Sequence, residues 1–383
     1  MTEFPKKLKA KLTERRDNNA LRKLPMPKGL IDFSSNDYLG LAGNEAIFIK
    51  ASKLLEKKGA RANGATGSRL LTGNYNLYAE LEEALSSFFG SESALVFNSG
   101  YDANIGFFSA VPQRTDVVFY DELSHASIRD GIGMGRAQSY KFKHNQLEDL
   151  SRQIDRAREN KIDSDIYVVT ESVFSMDGDT PDLKALSVLC LSKGAYLVVD
   201  EAHAVGVFGN RGEGLLNELG LQDMVFARVV TFGKAMGCHG AAILGSDVLK
   251  SYLVNFARSF IYTTGMPPHS LATILAACEH LSAPGVEQQE LRDNIGFFKD
   301  QLRAHELEAY FIPSNSAVHC CLVEGNEKVK KWAQHIQEKG FDVKPILSPT
   351  VPKGQERLRF CLHSFNRENE IKDVLLILSD LFD

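Results

Sequence analysis

The stretch VVTFGKAMGCHG, residues 229–240, carries one lysine, Lys234, among small residues and directly behind a β-branched apolar lead-in. An ammonium is costly to bury unless it is paired or loses its proton. A lysine in such a place suits covalent chemistry, because a deprotonated amine forms a Schiff base with an aldehyde. Small neighbours would then let a flat ring approach the backbone.

That chemistry needs an acid facing a pyridine nitrogen, a cradle for phosphate and a partner for the ring face. Asp200 closes the apolar run YLVV and can supply the acid. His203, three residues on, can reach a phenolic oxygen. NSGYDANIG (98–106) runs from a strand end into a helix, so the N–H groups of Gly100 and Tyr101 would open that helix toward an anion. Thr231, three before the lysine, adds a hydroxyl, and His125 in DELSHASI follows another strand, placed to stack on a ring. Together these residues describe a site for pyridoxal 5'-phosphate (PLP). Singly they describe less. His125 and His203 read equally well as structural histidines, Gly100 as a turn cap, Lys234 as a snorkelling surface cation and Asp200 as a loop acid. The functional reading rests on their joint occurrence in one order along one sheet.

The elements that must position them follow from the texture of the chain. Strands are expected at 94–100, 116–122, 166–172, 195–203, 228–234 and 240–245, with helical patterns such as 146–160 and 182–193 between most of them. Strands alternating with helices indicate βαβ units and an α/β fold with a mostly parallel sheet. Polar residues gather at the carboxyl ends of these strands: Asn98 and Ser99, Asp121, Glu171, Asp200, Thr231. In open α/β sheets ligands bind at that edge. A helix covers residues 1 to about 23, and a Gly-rich loop, GARANGATGSRLLTGN, separates two helices before Gly90. A long helical pattern over 269–307 opens a smaller α+β domain. The expected division is an N-terminal segment 1–45, a large domain 46–270 and a small domain 271–383.

With 383 residues, 44% of them hydrophobic and 24% charged, the chain can bury a sizeable core. A net charge of -5 argues against a general nucleic-acid or membrane-surface binder. The six cysteines, Cys190, Cys238, Cys278, Cys320, Cys321 and Cys361, include no CxxC pair and read as reduced core residues. The N-terminus MTEFPKKLKAKLTERR lacks the apolar core of a signal peptide, and no apolar run reaches bilayer length, so a cytoplasmic location is expected.

Three motifs point elsewhere and lack their context. VVDEAH (198–203) spells a helicase metal motif, but the nearest phosphate-loop candidate, GARANGAT, has Ala65 in place of the required lysine. GIGMGR (131–136) has GxGxG spacing and no preceding strand, which leaves a nicotinamide or flavin oxidoreductase as a remote alternative. Asp200 and Glu201 on one strand point to opposite faces, so they form no metal cage with His203, and no metal is expected.

Across nearly its whole length the chain resembles the α-oxoamine synthases, PLP enzymes of the aspartate-aminotransferase fold (fold type I). The stretches that carry the likeness are FSSNDYLGLA, GSRLLTGN, DELSHASIRDG, ESVFSMDGD, VVDEAHAVGVFG, VTFGKAMG and PTVPKGQERLRF. The resemblance implies that Lys234 is the Schiff-base lysine, Asp200 the pyridinium partner and His125 the stacking histidine. It implies that Ser175 and His203 face the phenolic oxygen, with Glu171 in the same cofactor site. Gly100, Tyr101 and Thr231 would contact the phosphate, as would Thr263 and Thr264 across a homodimer interface. Arg359 would hold the amino-acid carboxylate. Asn36, in FSSNDYLGLA, and Thr350, in PTVPKGQERLRF, would line the substrate site. Arg22, in NALRKL, would meet the acyl carboxylate, although it reads equally as an ordinary helix-surface arginine. The implied reaction is decarboxylative condensation of an amino acid with an acyl-CoA or acyl-carrier-protein thioester. Chain length and the motifs FSSNDYLGLA and NALRKL stand nearest members that join L-alanine to a pimeloyl thioester in biotin synthesis. Glycine users and serine palmitoyltransferase are the sister alternatives. Two departures bear on the acyl entrance: the segment from Pro25 to Ile31 is short, and Tyr78 stands where the family usually has a histidine.

Overall fold

The computed structural model describes residues 4–22, 24, 29–160, 164–283 and 285–382. In chain order the first elements are α1 (Lys6–Asp17), β1 (Ile31–Asp32), α2 (Glu45–Lys57), α3 (Asn76–Phe89) and β2 (Ser93–Phe97). There follow α4 (Gly100–Ala110), β3 (Val117–Asp121), α5 (Ala126–Met134), β4 (Gln138–Phe142), α6 (Leu147–Asn160) and β5 (Ile166–Glu171). Next come α7 (Leu183–Ser192), β6 (Tyr196–Asp200), α8 (Leu215–Glu218), β7 (Ala227–Thr231), β8 (Ala241–Gly245), α9 (Asp247–Phe256) and α10 (Arg258–Ile261). The chain closes with α11 (Pro268–Ser282), α12 (Val286–Ala304), β9 (Val318–Leu322), α13 (Asn326–Glu338), β10 (Phe341–Asp342), β11 (Lys344–Ile346), β12 (Arg357–Cys361) and α14 (Glu368–Ser379). Among the described residues no helix is long and apolar enough to cross a membrane.

The chain divides into two compact units. One holds residues 36–175 and 180–290; the other holds 1–35, 176–179 and 291–383. The N-terminal segment thus falls mostly with the C-terminal part of the chain.

The larger unit is built on a seven-stranded sheet in the order β2-β8-β7-β6-β5-β3-β4. All neighbours pair parallel except those of β8, which runs against both β2 and β7. The fold is therefore α/β with a mostly parallel sheet, and the carboxyl ends of β2, β3, β5, β6 and β7 share one edge. Strands β2, β5 and β7 are buried at every position, as expected where helices cover both faces of a sheet. Leu95, Phe107, Val118, Val169, Val229 and Ile243 belong to one core layer. Val117, Ile154, Val168, Leu186, Val199 and Leu216 belong to the other.

Two sequence expectations change here. β4, QSYKF, is a strand that the apolar pattern does not announce, because it lies at the sheet edge with four of five residues exposed. The single pattern over 269–307 is two helices, α11 ending at Ser282 and α12 beginning at Val286, and the sequence between their ends holds a proline and a glycine, poor helix formers. GIGMGR also finds its reason. Gly131 sits on α5 where α4 crosses it, and a Cβ there would lie 2.7 Å from the Asn104 carbonyl oxygen and 3.1 Å from the Phe108 Cβ. The glycine serves helix packing, and no dinucleotide turn is formed.

The smaller unit carries the antiparallel sheet β11-β12-β9 and the parallel pair β1-β10. Its core includes Phe298, Phe311 and Phe360, with Phe298 against the ring of His319 at 4.7 Å.

In the larger unit Glu201 turns away from Asp200 and into the protein, where its Oε2 accepts from Arg228 Nη2 at 2.5 Å and Nε at 3.0 Å. Both side chains are almost fully buried. Arg228 also donates to the carbonyls of Phe89 and Glu213. Removing one member strands the other charge, which costs about 3–5 kcal/mol in buried pairs. Arg228→Met is expected to lose stability on that scale in urea denaturation, with the sheet unit unfolding first.

Candidate active site

The carboxyl edge of the large sheet holds a cavity of about 250 Å3 formed within one unit, and the expected residues converge on it. Its walls include Asn36, Gly100, Tyr101, His125, Glu171, Asp200, His203, Thr231 and Lys234. That volume is below the roughly 300–1,000 Å3 of sites for drug-sized ligands, which suits a small flat group. A larger groove of about 990 Å3 follows α1 in the other unit, lined by residues such as Phe4, Leu8 and Glu356; it holds none of the sheet-edge residues.

Lys234 follows β7 in a tight loop. Phe232 N–H bonds to the Gly240 carbonyl at 2.9 Å, Cys238 N–H to the Phe232 carbonyl at 2.7 Å and Gly237 N–H to the Lys234 carbonyl at 2.8 Å. The lysine is half-buried rather than sunk. The small residues around it do not all serve the pocket. Gly237 has φ +62° and a Cβ there would strike the Ala42 nitrogen at 2.2 Å, so this glycine is required by the neighbouring chain at 41–42.

Asp200 closes β6 and is 7% exposed. Its Oδ2 accepts from Asn104 Nδ2 and its Oδ1 from Ala202 N–H, both at 2.9 Å. His125 is the N-cap of α5. Its Nδ1 lies 2.7 Å from Ser127 Oγ and 3.2 Å from Ser127 N. Its own N–H donates to Glu171 Oε1 at 2.6 Å. Burial, helped by the like charge of Lys234 and only partly offset by the opposite charge of Asp200, leaves the His125 imidazole below its ordinary value and therefore neutral near pH 7. His203 Nδ1 is 2.6 Å from the Tyr38 hydroxyl, which also reaches Asn36 Oδ1 at 3.2 Å.

The anion cradle fits as well. α4 begins at Gly100 behind Ser99, whose Oγ accepts from Asp102 N–H at 3.1 Å. A Cβ on Gly100 would come within 2.6 Å of Thr231 Cγ2, so the backbone approaches that strand end closely. Thr231 Oγ1 is buried with no partner among the described residues, a donor and acceptor waiting for a ligand oxygen. Tyr101 is half-exposed, and its hydroxyl donates to Asp130 Oδ2 at 2.7 Å. A hydrogen-bonded acid, a neutral histidine, a helix N-terminus and an orphaned hydroxyl around one amine fit the PLP group without forcing.

The other expected residues lie outside the cavity walls. Ser175 follows β5 and is partly buried. Asn98 Nδ2 ties down the loop of Thr263 and Thr264, at 3.2 Å to Thr263 Oγ1 and 2.9 Å to the Thr264 carbonyl. Tyr78, the departure from the family histidine, accepts Met266 N–H at 2.7 Å and lies under the Arg69 guanidinium at 3.7 Å. In the smaller unit Arg22 Nη2 reaches Thr350 Oγ1 at 3.5 Å, and Arg359, 8% exposed, contacts Cys361 Sγ at 2.9 Å. Pro25–Lys28, most of the short segment, lies outside the described residues. Sequence reasoning gave no role to Asn104, Ser127 or Tyr38, although each sits inside a motif it singled out.

The family model for aminotransferases of class I and II matches residues 28–375. A Bacillus cereus protein provisionally named 8-amino-7-oxononanoate synthase is 40% identical over 342 residues, covering 88% of this chain and 84% of that relative. A serine palmitoyltransferase variant from S. paucimobilis, solved with bound PLP and myriocin, superposes with a TM-score of 0.87 at 27% identity over 98% and 96% of the two chains. The 8-amino-7-oxononanoate synthase of Francisella tularensis superposes with a TM-score of 0.77 at 29% identity over 92% and 97%.

Glu171 supplies a pH test of this electrostatic picture. Burial and then the Asp200 charge raise its carboxyl well above the ordinary range, so the folded protein keeps it protonated. The folded state then binds a proton the unfolded state has lost, and stability falls as pH rises above about 4.5 toward the folded value. Glu171→Gln keeps an acceptor for His125 N–H and removes the titration. Its urea midpoint relative to the parent is expected to improve between about pH 5 and about pH 8; an unchanged difference would place an ionised carboxylate there.

Proposed function

The chain belongs to the aminotransferase class I and II family and, within it, to the PLP-dependent α-oxoamine synthases, and from that premise we propose that it condenses L-alanine with a pimeloyl thioester, releasing CO2 and the thiol, to give 8-amino-7-oxononanoate. The observation that carries the chemistry is the joint placement of Lys234, Asp200 and His125 around one cavity. Sequence identity to the Bacillus relative supports the choice of substrates.

In this reading Lys234 would hold PLP covalently, Asp200 would face its ring nitrogen and His125 its ring, with His203 at the phenolic oxygen. Thr231 and the N–H groups of Gly100 and Tyr101 would hold its phosphate. PLP supplies an electron sink for the pair released when a bond at the amino-acid Cα is broken. The protein does the rest. Asp200 would face the ring nitrogen as its hydrogen-bond partner, and Asn104 Nδ2 and Ala202 N–H fix the orientation of its carboxyl group. The Lys234 amine, on a flexible four-carbon stem, takes up the substrate Cα proton and later returns one. Tyr38 steadies the His203 ring through Nδ1. The tight 232–240 loop fixes where the lysine stem begins, which makes proton transfer a positioned event. In the same reading Arg359 would hold the amino-acid carboxylate, Arg22 would meet the acyl carboxylate, Asn36 and Thr350 would line the substrate site, and Thr263 and Thr264 would serve the partner's site in a homodimer.

Fold likeness to serine palmitoyltransferase, the higher of the two TM-scores, favours a second reading with L-serine and a long acyl thioester. Thiol release from four amino acids against a panel of acyl thioesters separates the two. L-Alanine with pimeloyl-CoA is expected to exceed glycine with acetyl-CoA and L-serine with palmitoyl-CoA by at least about tenfold in kcat/KM, or about 1.4 kcal/mol. The reverse order moves the assignment to a sister enzyme.

A further inference from the structure

Asn104 lies on α4, 2% exposed, and gives away both of its amide hydrogens. One goes to Asp200 Oδ2 at 2.9 Å and one to Ser127 Oγ at 3.0 Å. Its own Oδ1 is buried with no partner among the described residues. The amide cannot turn over, because Oδ1 would then oppose the Asp200 carboxylate, acceptor against acceptor. Ser127, 1% exposed, therefore accepts from Asn104, and its single hydrogen is left for the neighbour at 2.7 Å, His125 Nδ1. The Ser127 backbone N–H points at the same nitrogen from 3.2 Å. A ring nitrogen that receives hydrogen bonds carries no proton. Gly131 lets α5 approach α4 closely enough for the chain of contacts to close.

We propose that Asn104 and Ser127 are positioning residues that set hydrogen-bond polarity from Asp200 to His125, fixing His125 as the neutral tautomer protonated on Nε2. His125 then presents an N–H donor at Nε2 and no lone pair, so it orients and does not act as a base; proton transfers fall to Lys234. That consequence rests on the proposed function, whereas the tautomer is a property of the protein without cofactor.

The test uses cofactor-free protein labelled with 15N-histidine and two-bond 1H–15N correlation spectra, with the His125 signal identified by its loss in His125→Gln. The parent is expected to show a single tautomer with the proton on Nε2. Ser127→Ala removes the donor and is expected to give a mixture of both tautomers, and Ser127→Thr to restore the single one. Asn104→Asp has the same shape and no hydrogens to give, so the Ser127 hydroxyl turns toward it and the tautomer becomes mixed. A parent signal with the proton on Nδ1, or a pattern unchanged in both Ser127→Ala and Asn104→Asp, overturns the inference. Should Asn104→Asp fail to fold, the two Ser127 variants decide alone. Since no reaction is measured, failure here leaves the condensation reading standing, and failure of that reading leaves this result intact.

Discussion

A single buried carboxylate organises the site. Asp200 sits at the end of a strand otherwise made of apolar residues, where an unpaired charge would cost several kcal/mol. Two donors, Asn104 Nδ2 and Ala202 N–H, bond one to each of its oxygens, and hydrogen bonds to a charged group are worth about 1.5–3 kcal/mol each. From it the other properties follow. Burial, and after it the Asp200 field, raise the Glu171 carboxyl, which in turn accepts the backbone N–H of His125. The Asp200 partner Asn104 leads through Ser127 to the His125 ring.

The sheet makes that charge possible. Six of the seven strands end on one edge, so residues distant in sequence meet without long loops. β8 turns back directly after the lysine loop, and its reversed direction brings Gly240 to the same edge. On the opposite face of β6, Glu201 pairs with Arg228 from β7. Alternation along the strand therefore separates a functional acid from a structural one by a single residue.

Most of this was legible in the sequence, for identifiable reasons. The central strands are short apolar runs ending in polar residues, so Thr231, Asp200 and Glu171 announce themselves. The edge strand β4 is polar and exposed, and alternation gave no sign of it. Between α11 and α12 the sequence reads APG, but the apolar period continues on both sides and hides the break. Asn104 and Ser127 were illegible as functional residues, since one polar residue in a helix or at its start is ordinary; only the α4–α5 crossing brings them together. The glycines near Lys234 were legible as unusual, but their cause was misread, because Gly237 answers to the backbone at 41–42. GIGMGR likewise needed the packed helices to explain it.

The central claim is that the Lys234 amine holds PLP by a reducible bond. Borohydride treatment of the PLP-loaded protein, followed by proteolysis and mass mapping, reads that bond directly. The account predicts one pyridoxyl mass addition per chain, on the peptide containing Lys234 and absent from the other lysine peptides. A label on a different lysine, or none on a protein saturated with PLP, would contradict it.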